Sequence, residues 1–273
     1  MCGIVGISGT EHAAELTAVA LHAQQHRGQE AAGIVSFDGA NFSEHRRGGL
    51  VGASFSKNAL ATLKGSVAIG HVRYSTSGAK NENAMLQARA AQPLVSVFSF
   101  GPLAIAHNGN LTNAKGLRQE LEMAGHSFQT RSDDNEVVDT EVALKLIGAS
   151  VGSTFVDRLK TALSLLEGGF AFVIATKKKI IGVCDLFGMR TLMIGKIDGG
   201  GYVFASETCA LKAVSARYMR DVAPGEIVIV EQGELSSHRF AESRQARNCI
   251  FEYIYFGRPD STMWGRNNYL VRK

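Results

Sequence analysis

Gly169-Phe170-Ala171-Phe172-Val173-Ile174-Ala175-Thr176-Lys177-Lys178-Lys179-Ile180-Ile181-Gly182-Val183-Cys184 sets two apolar runs of strand length on either side of three lysines. A strand buried on both faces reads as a continuous apolar run. A gap this short joins only strands that run in opposite directions. The lysines make the solvated turn of a hairpin. Residues 198–201 repeat the pattern between apolar runs at 191–194 and 202–205. Outward from these hairpins, residues 4–8, 32–37, 66–74, 103–107 and 226–230 also read as strands. Apolar residues at helical spacing, such as Ala14, Leu16, Val19, Leu21 and Ala23, mark a helix over 11–25. Others are expected over 113–124, 138–150 and 155–166. Paired strands with helices gathered in the middle predict an α+β fold, with two antiparallel sheets packed together and flanked by helices.

The chain has 273 residues, 45% of them hydrophobic and 20% charged. That is enough apolar material for a core without disulfides. Cys2, Cys184, Cys209 and Cys249 are scattered and form no C-x-x-C pair, so no metal site is expected. The net charge of +4 comes with no basic stripe, which argues against nucleic acid. No run is long enough to span a membrane. No signal peptide is read before Cys2, so a cytoplasmic protein with reduced thiols is expected. From Arg244 onward periodicity fades, and residues 264–273 are expected to be mobile or to pack on another chain.

Four clusters carry chemistry. In Met1-Cys2-Gly3-Ile4, a small second residue permits removal of the initiator methionine. The exposed Cys2 then pairs a thiol with its own α-amine, whose pKa near 8 lets it take the thiol proton. A small buried residue at a strand edge is the plain alternative. His71-Val72-Arg73-Tyr74-Ser75-Thr76-Ser77 offers a carboxylate clamp in Arg73, with hydroxyl donors in Ser75 and Thr76. In His107-Asn108-Gly109-Asn110-Leu111, the Asn108 amide and Gly109 N–H can serve a developing oxyanion, although Asn-Gly is also a common turn. Gln25-His26-Arg27-Gly28-Gln29-Glu30 closes the first helix. There Gly28 suits a C-cap, and Arg27 is a candidate for ordering the loop near the nucleophile and for meeting substrate, with a cation complementing the helix dipole as the alternative. Asp133 and Asp139 are candidates for an α-ammonium, with helix capping as the alternative for both.

In this order the clusters resemble the class II, or N-terminal nucleophile, glutamine amidotransferases. Within that class the chain is most similar to the amidophosphoribosyltransferases. Gln25 to Gly33, His71 to Thr76, Ser206-Glu207-Thr208-Cys209-Ala210-Leu211 and Phe251-Glu252-Tyr253-Ile254-Tyr255-Phe256-Gly257-Arg258-Pro259-Asp260-Ser261 carry that likeness. The resemblance implies a four-layer αββα Ntn-hydrolase sandwich. It implies that Cys2 attacks the carboxamide of glutamine, that Asn108 and Gly109 form the oxyanion hole, and that Arg73 binds the substrate carboxylate. An aspartate before Thr-Glu-Val binds the amine; Asp139 fits that place, and Asp133 matches an upstream half of the motif. The amidotransferase domain is expected over 2–243, with 244–273 beginning an interdomain segment. Ammonia would pass to a phosphoribosyltransferase domain or chain, to which any magnesium would belong. No such acceptor site is read in these residues, so free ammonia and no phosphoribosylamine are expected from them alone. No iron–sulfur cluster is expected, and Cys249 reads as a buried thiol. A homo-oligomer remains open. So do two other readings: the glutaminase half of another class II amidotransferase, and a degenerate copy that only binds glutamine.

Overall fold

A computed structural model describes residues 1–74, 90–130, 137–242 and 244–273. The chain opens with strand β1 (Gly3–Ser8), helix α1 (Ala13–Ala23), a short turn of helix at Gln25–Arg27 and strands β2 (Ala31–Phe37) and β3 (Phe42–Gly48). Two short helices, α2 (Val51–Ser54) and α3 (Lys57–Thr62), lead to β4 (Val67–Arg73). Then come β5 (Leu94–Phe98), β6 (Gly101–Leu111) and three helices: α4 (Ala114–Met123), α5 (Asp139–Ala149) and α6 (Phe155–Ser164). Strands β7 (Gly168–Thr176), β8 (Lys179–Cys184), β9 (Met193–Lys196) and β10 (Tyr202–Ala205) follow, then helix α7 (Thr208–Ala213). Strands β11 (Arg217–Asp221), β12 (Glu226–Glu231) and β13 (Glu234–Arg239) complete the sheets.

The strands form a seven-stranded sheet, in the order β11-β9-β10-β1-β4-β2-β3, and a six-stranded sheet, in the order β13-β12-β8-β7-β6-β5. Every pairing is antiparallel, as the hairpin signals require. Ile4, Val35, Ile69, Ala106, Val173 and Phe204 pack between the sheets. Val5, Ile7 and Val72 turn outward beneath Leu21 of α1 and Leu211 of α7. Leu103, Ile105, Phe170 and Phe172 turn outward beneath Leu144 of α5 and Leu159 of α6. Side chains alternate between the two faces of each strand. A strand in the middle of this sandwich is therefore apolar at every position, which is why 170–175 and 180–183 read as unbroken runs. The result is the expected four-layer sandwich, helix on sheet on sheet on helix. Among the described residues, no helix is long and apolar enough to cross a membrane.

The structure departs from the sequence reading in four places. Strand β6 does not end at His107 but continues through Leu111, paired with β7 as far as Leu111↔Gly168. Asn108-Gly109 is thus strand and not a turn. Gly28 is no left-handed cap; its φ is −170°. A Cβ there would lie 2.5 Å from the Arg73 carbonyl carbon, so glycine lets the turn press against the end of β4. Cys249 is half-buried and not buried. Residues 264–273, expected to be mobile or to pack on another chain, put Trp264 and Val271 against this chain's own core, and the stretch before them packs there too. Its wide turn Glu252–Phe256 buries Glu252 and Tyr253, and Met263 and Tyr253 join the core under the first sheet. Helical period misses this packing because single anchors make it, such as the Tyr253 hydroxyl donating to the Met263 carbonyl at 3.1 Å.

Phe172 has no exposure and lies 4.8 Å, centroid to centroid, from both Phe170 and His107. Truncating such a ring removes its transfer energy and leaves a cavity. Phe172→Ala is expected to cost about 3–5 kcal/mol, measured as a lower urea midpoint at unchanged slope.

Candidate active site

Strand alternation decides which side chains meet at one end of the sandwich. Ile4 faces the other sheet, so Cys2, two residues earlier, lies on that same side. Ile69 does likewise on β4, which places His71 and Arg73 in the same layer. On β6, Ala104 and Ala106 face inward, so Asn108 does too. Register brings them level: Gly3 pairs with Val72, which sets Cys2 beside Arg73. They come from three places far apart in sequence: the residue before β1, the end of β4, and β6.

A cavity of 770 Å³ opens at this end, lined by Cys2, Arg73, Tyr74, Gly109, Asn110 and Asp139, among others. Met1 also lines it and is itself buried. The Cys2 thiol donates to the Tyr74 carbonyl at 3.7 Å. Burial pushes this thiol above its ordinary pKa; the N-terminal ammonium and Arg73 pull it back, and Asp139 pushes it up. Gly109 has φ +151°, and a Cβ there would come within 2.1 Å of the Gly169 carbonyl oxygen. Only glycine lets β6 lie this close to β7. Asn108 is fully buried behind the cavity wall, and neither polar atom of its carboxamide has a partner among the described residues.

Asp139 is the first residue of α5, but it caps nothing; the capping position is Val138. Its carboxylate accepts from the Leu111 N–H at 3.1 Å and lies 3.4 Å from the His107 ring. Burial opposes its charge, yet His107 and the Leu111 N–H outweigh that and hold the carboxyl below its usual range. Of the other expected site residues, Arg73 lies 3.9 Å from Glu30, a loose pair that leaves its guanidinium at the cavity. Ser75, Thr76 and Asp133 lie outside the described residues.

The placement of Arg27 corrects the expectation that it meets substrate. It is fully buried beneath the nucleophile and is not part of the cavity wall. Its Nε donates to the Cys2 carbonyl at 3.0 Å, Nη1 to Glu207 at 2.6 Å and Nη2 to Glu252 at 2.7 Å. Glu207 also accepts from the Arg258 N–H and the Ser261 hydroxyl. Sequence reading singled out neither carboxylate as a partner of Arg27. The available signal was general: a buried arginine needs acids, but not which acids. It also missed Gln92, which joins the Thr140 hydroxyl to the His107 N–H behind Asp139.

Residues 80–213 match the family described as "Glutamine amidotransferase domain". The chain is 46% identical to the amidophosphoribosyltransferase of Rhizobium etli over 278 residues, which cover 100% of this chain and 53% of the relative. It is 45% identical to that of Bacillus subtilis, covering 55% of the relative. Among solved structures, it superposes on the B. subtilis glutamine phosphoribosylpyrophosphate amidotransferase complexed with ADP and GMP, with a TM-score of 0.88 and 44% identity. That match covers 98% of this chain and 55% of the other. The chain spans about half the length of these relatives. At 12% identity, a protein described as a glutamine aminotransferase class-II domain protein, from Silicibacter pomeroyi, shares the fold, with a TM-score of 0.53.

His71 supplies a test of this buried end. It has no exposure, and burial, followed by the nearby Arg73 and His107, lowers its pKa from 6.5 to about 3. The folded state therefore stays unprotonated where the unfolded chain takes up a proton. Its stability contribution is complete above pH 6.5 and declines as pH falls toward 3. Between pH 7 and 4.5 the loss from this group is about 2–3 kcal/mol. Urea titrations should show that part of the acid sensitivity missing in His71→Gln.

Proposed function

We propose that this chain, which carries a glutamine amidotransferase domain, hydrolyses glutamine with Cys2 as the glutaminase part of an amidophosphoribosyltransferase. The observation that supports this most is the Asn108 carboxamide, fully buried in the layer of Cys2 with no partner among the described residues. Leaving a buried amide unpaired costs about 1–3 kcal/mol, which a donor contact to a reactant's oxygen would recover.

Removal of Met1 would place the α-amine on Cys2 and enlarge the cavity that Met1 now lines. The amine takes the thiol proton, and Sγ attacks the side-chain carbonyl carbon of glutamine. Charge gathers on the carbonyl oxygen, where the Asn108 amide and the Gly109 N–H donate. The tetrahedral adduct collapses, the amine's proton goes to the leaving nitrogen, and ammonia departs from a thioester. Water, deprotonated by the same amine, then frees glutamate and the thiol. Arg73 holds the α-carboxylate through its two-pronged donor set. Asp139, kept charged by its surroundings, holds the α-ammonium. The nucleophile and base lie in one residue, so this half-reaction needs no metal or cofactor; magnesium belongs with the acceptor.

The acceptor of ammonia is a phosphoribosyltransferase domain, in keeping with relatives about twice as long as this chain. Phe251, Ile254 and Tyr255 stand exposed on a turn whose Glu252 and Tyr253 are anchored inside. That apolar face suits a covering domain.

Purified active protein is expected to have the mass of the chain without Met1. Cys2→Ala should abolish ammonia release from glutamine. Full activity in protein that retains Met1 would exclude the amine as base. Asn108→Ala should lower kcat by about 10²–10³ with a smaller change in KM, because the contact tightens in the transition state. Asp139→Asn should act mainly on KM, since a ground-state ion pair is lost.

A further inference from the structure

The nucleophile's main-chain anchor rests on a buried charge cluster that the reaction outlined above leaves unused. Arg27 holds the Cys2 carbonyl and is itself held by Glu207 and Glu252. The two carboxylates do not have equal surroundings. Both oxygens of Glu207 are bonded: His26 and Arg27 reach one, and the Arg258 N–H and Ser261 reach the other. Glu252 is fully buried, and its second oxygen, Oε1, has no hydrogen-bond partner among the described residues. Arg190 Nη1 lies 3.7 Å from that oxygen. Nη1 and Nε of Arg190 likewise lack hydrogen-bond partners among the described residues.

Arg190 is held in place from the other side. The fully buried Asp185 accepts from the N–H groups of Phe187, Met189 and Arg190 and from that of Phe170 on β7. This fixes the loop after β8 and aims Arg190 toward Glu252. Two opposite charges from separate loops thus meet behind the N-terminus without closing a full hydrogen bond. The ammonium of Met1, one residue ahead of the amine that Met1 removal would create, feels both: burial lowers its pKa most, the Cys2 thiol raises it, Arg27 and Arg190 lower it, and Glu252 raises it.

We propose that Glu252 and Arg190 are positioning residues which, through Arg27, fix the Cys2 main chain and set the field at its amine and thiol. The proposal rests on the reading of Cys2 as an N-terminal nucleophile. The other charges facing that group are Arg27 and His26 at the end of α1 and Glu207 before α7. Arg73 on β4 and Asp139 on α5 face it from the cavity side. Glu252 and Arg190 add to that field with opposite signs. Glu252 favours the ammonium and disfavours the thiolate; Arg190 does the reverse. Removing Glu252's charge lowers the pKa of both the amine and the thiol, and removing Arg190's charge raises both.

The test is site-resolved alkylation of the full chain with iodoacetamide, following the Cys2 peptide by mass across pH. Only the thiolate reacts, so the rate midpoint reports the field at Cys2 whether or not glutamine is hydrolysed. Glu252→Gln keeps the shape and an acceptor for Arg27, and should move the midpoint down by about half to one pH unit. Arg190→Gln should move it up by a similar amount, and Glu252→Asp should return it toward wild type. A generally loosened fold would shift both variants the same way, and that result overturns the proposal. No shift in folded variants, checked by thermal melting, overturns it as well. Should Glu252→Gln fail to fold, Arg190→Gln decides alone: an upward shift supports the proposal, and an unchanged or lower midpoint ends it. Opposite shifts in a protein that releases no ammonia would sink the glutaminase reading and leave this one standing.

Discussion

A guanidinium without access to water must find its counter-charges inside the protein, and Arg27 does so with parts of the chain that are far apart. It joins the second residue, the residue before α7 and the turn at Glu252–Phe256. Two carboxylates on one arginine would leave an excess negative charge, which Arg190 and, when protonated, His26 offset. Removing one partner from such a cluster strands a buried charge, at about 3–5 kcal/mol. The end of the domain therefore cannot loosen without disturbing Cys2. This constraint explains why residues 251–263 fold against the first sheet although their sequence shows no period.

What was legible in the sequence follows from what each layer demands. Strands in the middle of the sandwich are apolar on both faces, and β7, β8 and β12 stood out for that reason. The edge strands β3 and β13 touch the core on one face or less. Phe42–Gly48 and Glu234–Arg239 are mixtures of polar and charged residues that alternate poorly, and neither was found. β6 was cut short for a different reason. Asn-Gly is the strongest local signal for a turn, and nothing local shows that Ala171 and Phe170 on β7 stand opposite to accept it as strand. Tertiary pairing overrode local propensity.

The site was legible by residue type and less so by position. Cys2, Arg73, Gly109 and Asp139 do line one cavity. Their convergence depends on strand register, which the sequence does not display. Arg27 shows the limit of such reading. An arginine beside glycine, glutamine and glutamate looks like a surface or substrate group. Whether it faces the cavity or the core depends on Glu207 and Glu252, some 180 and 225 residues away. Asp139 shows the reverse case. Its place at a helix start suggested capping, but its carboxylate turns to β6 and the cavity instead.

Several uncompensated groups lie at the Cys2 end of the sandwich. His71, Asn108, Arg190 and Glu252 each keep buried polar atoms without partners among the described residues, as do Ser8 and Ser36 away from that end. At the opposite end, the Lys177–Lys179 turn is open to solvent and closed by bonds to the Thr176 hydroxyl. Buried orphan groups reduce stability wherever they lie. Those beside Cys2 fit a site whose donors are set before the reactant arrives. The apolar layers between the sheets and under α1 and α5 then supply the stability that such a site draws down.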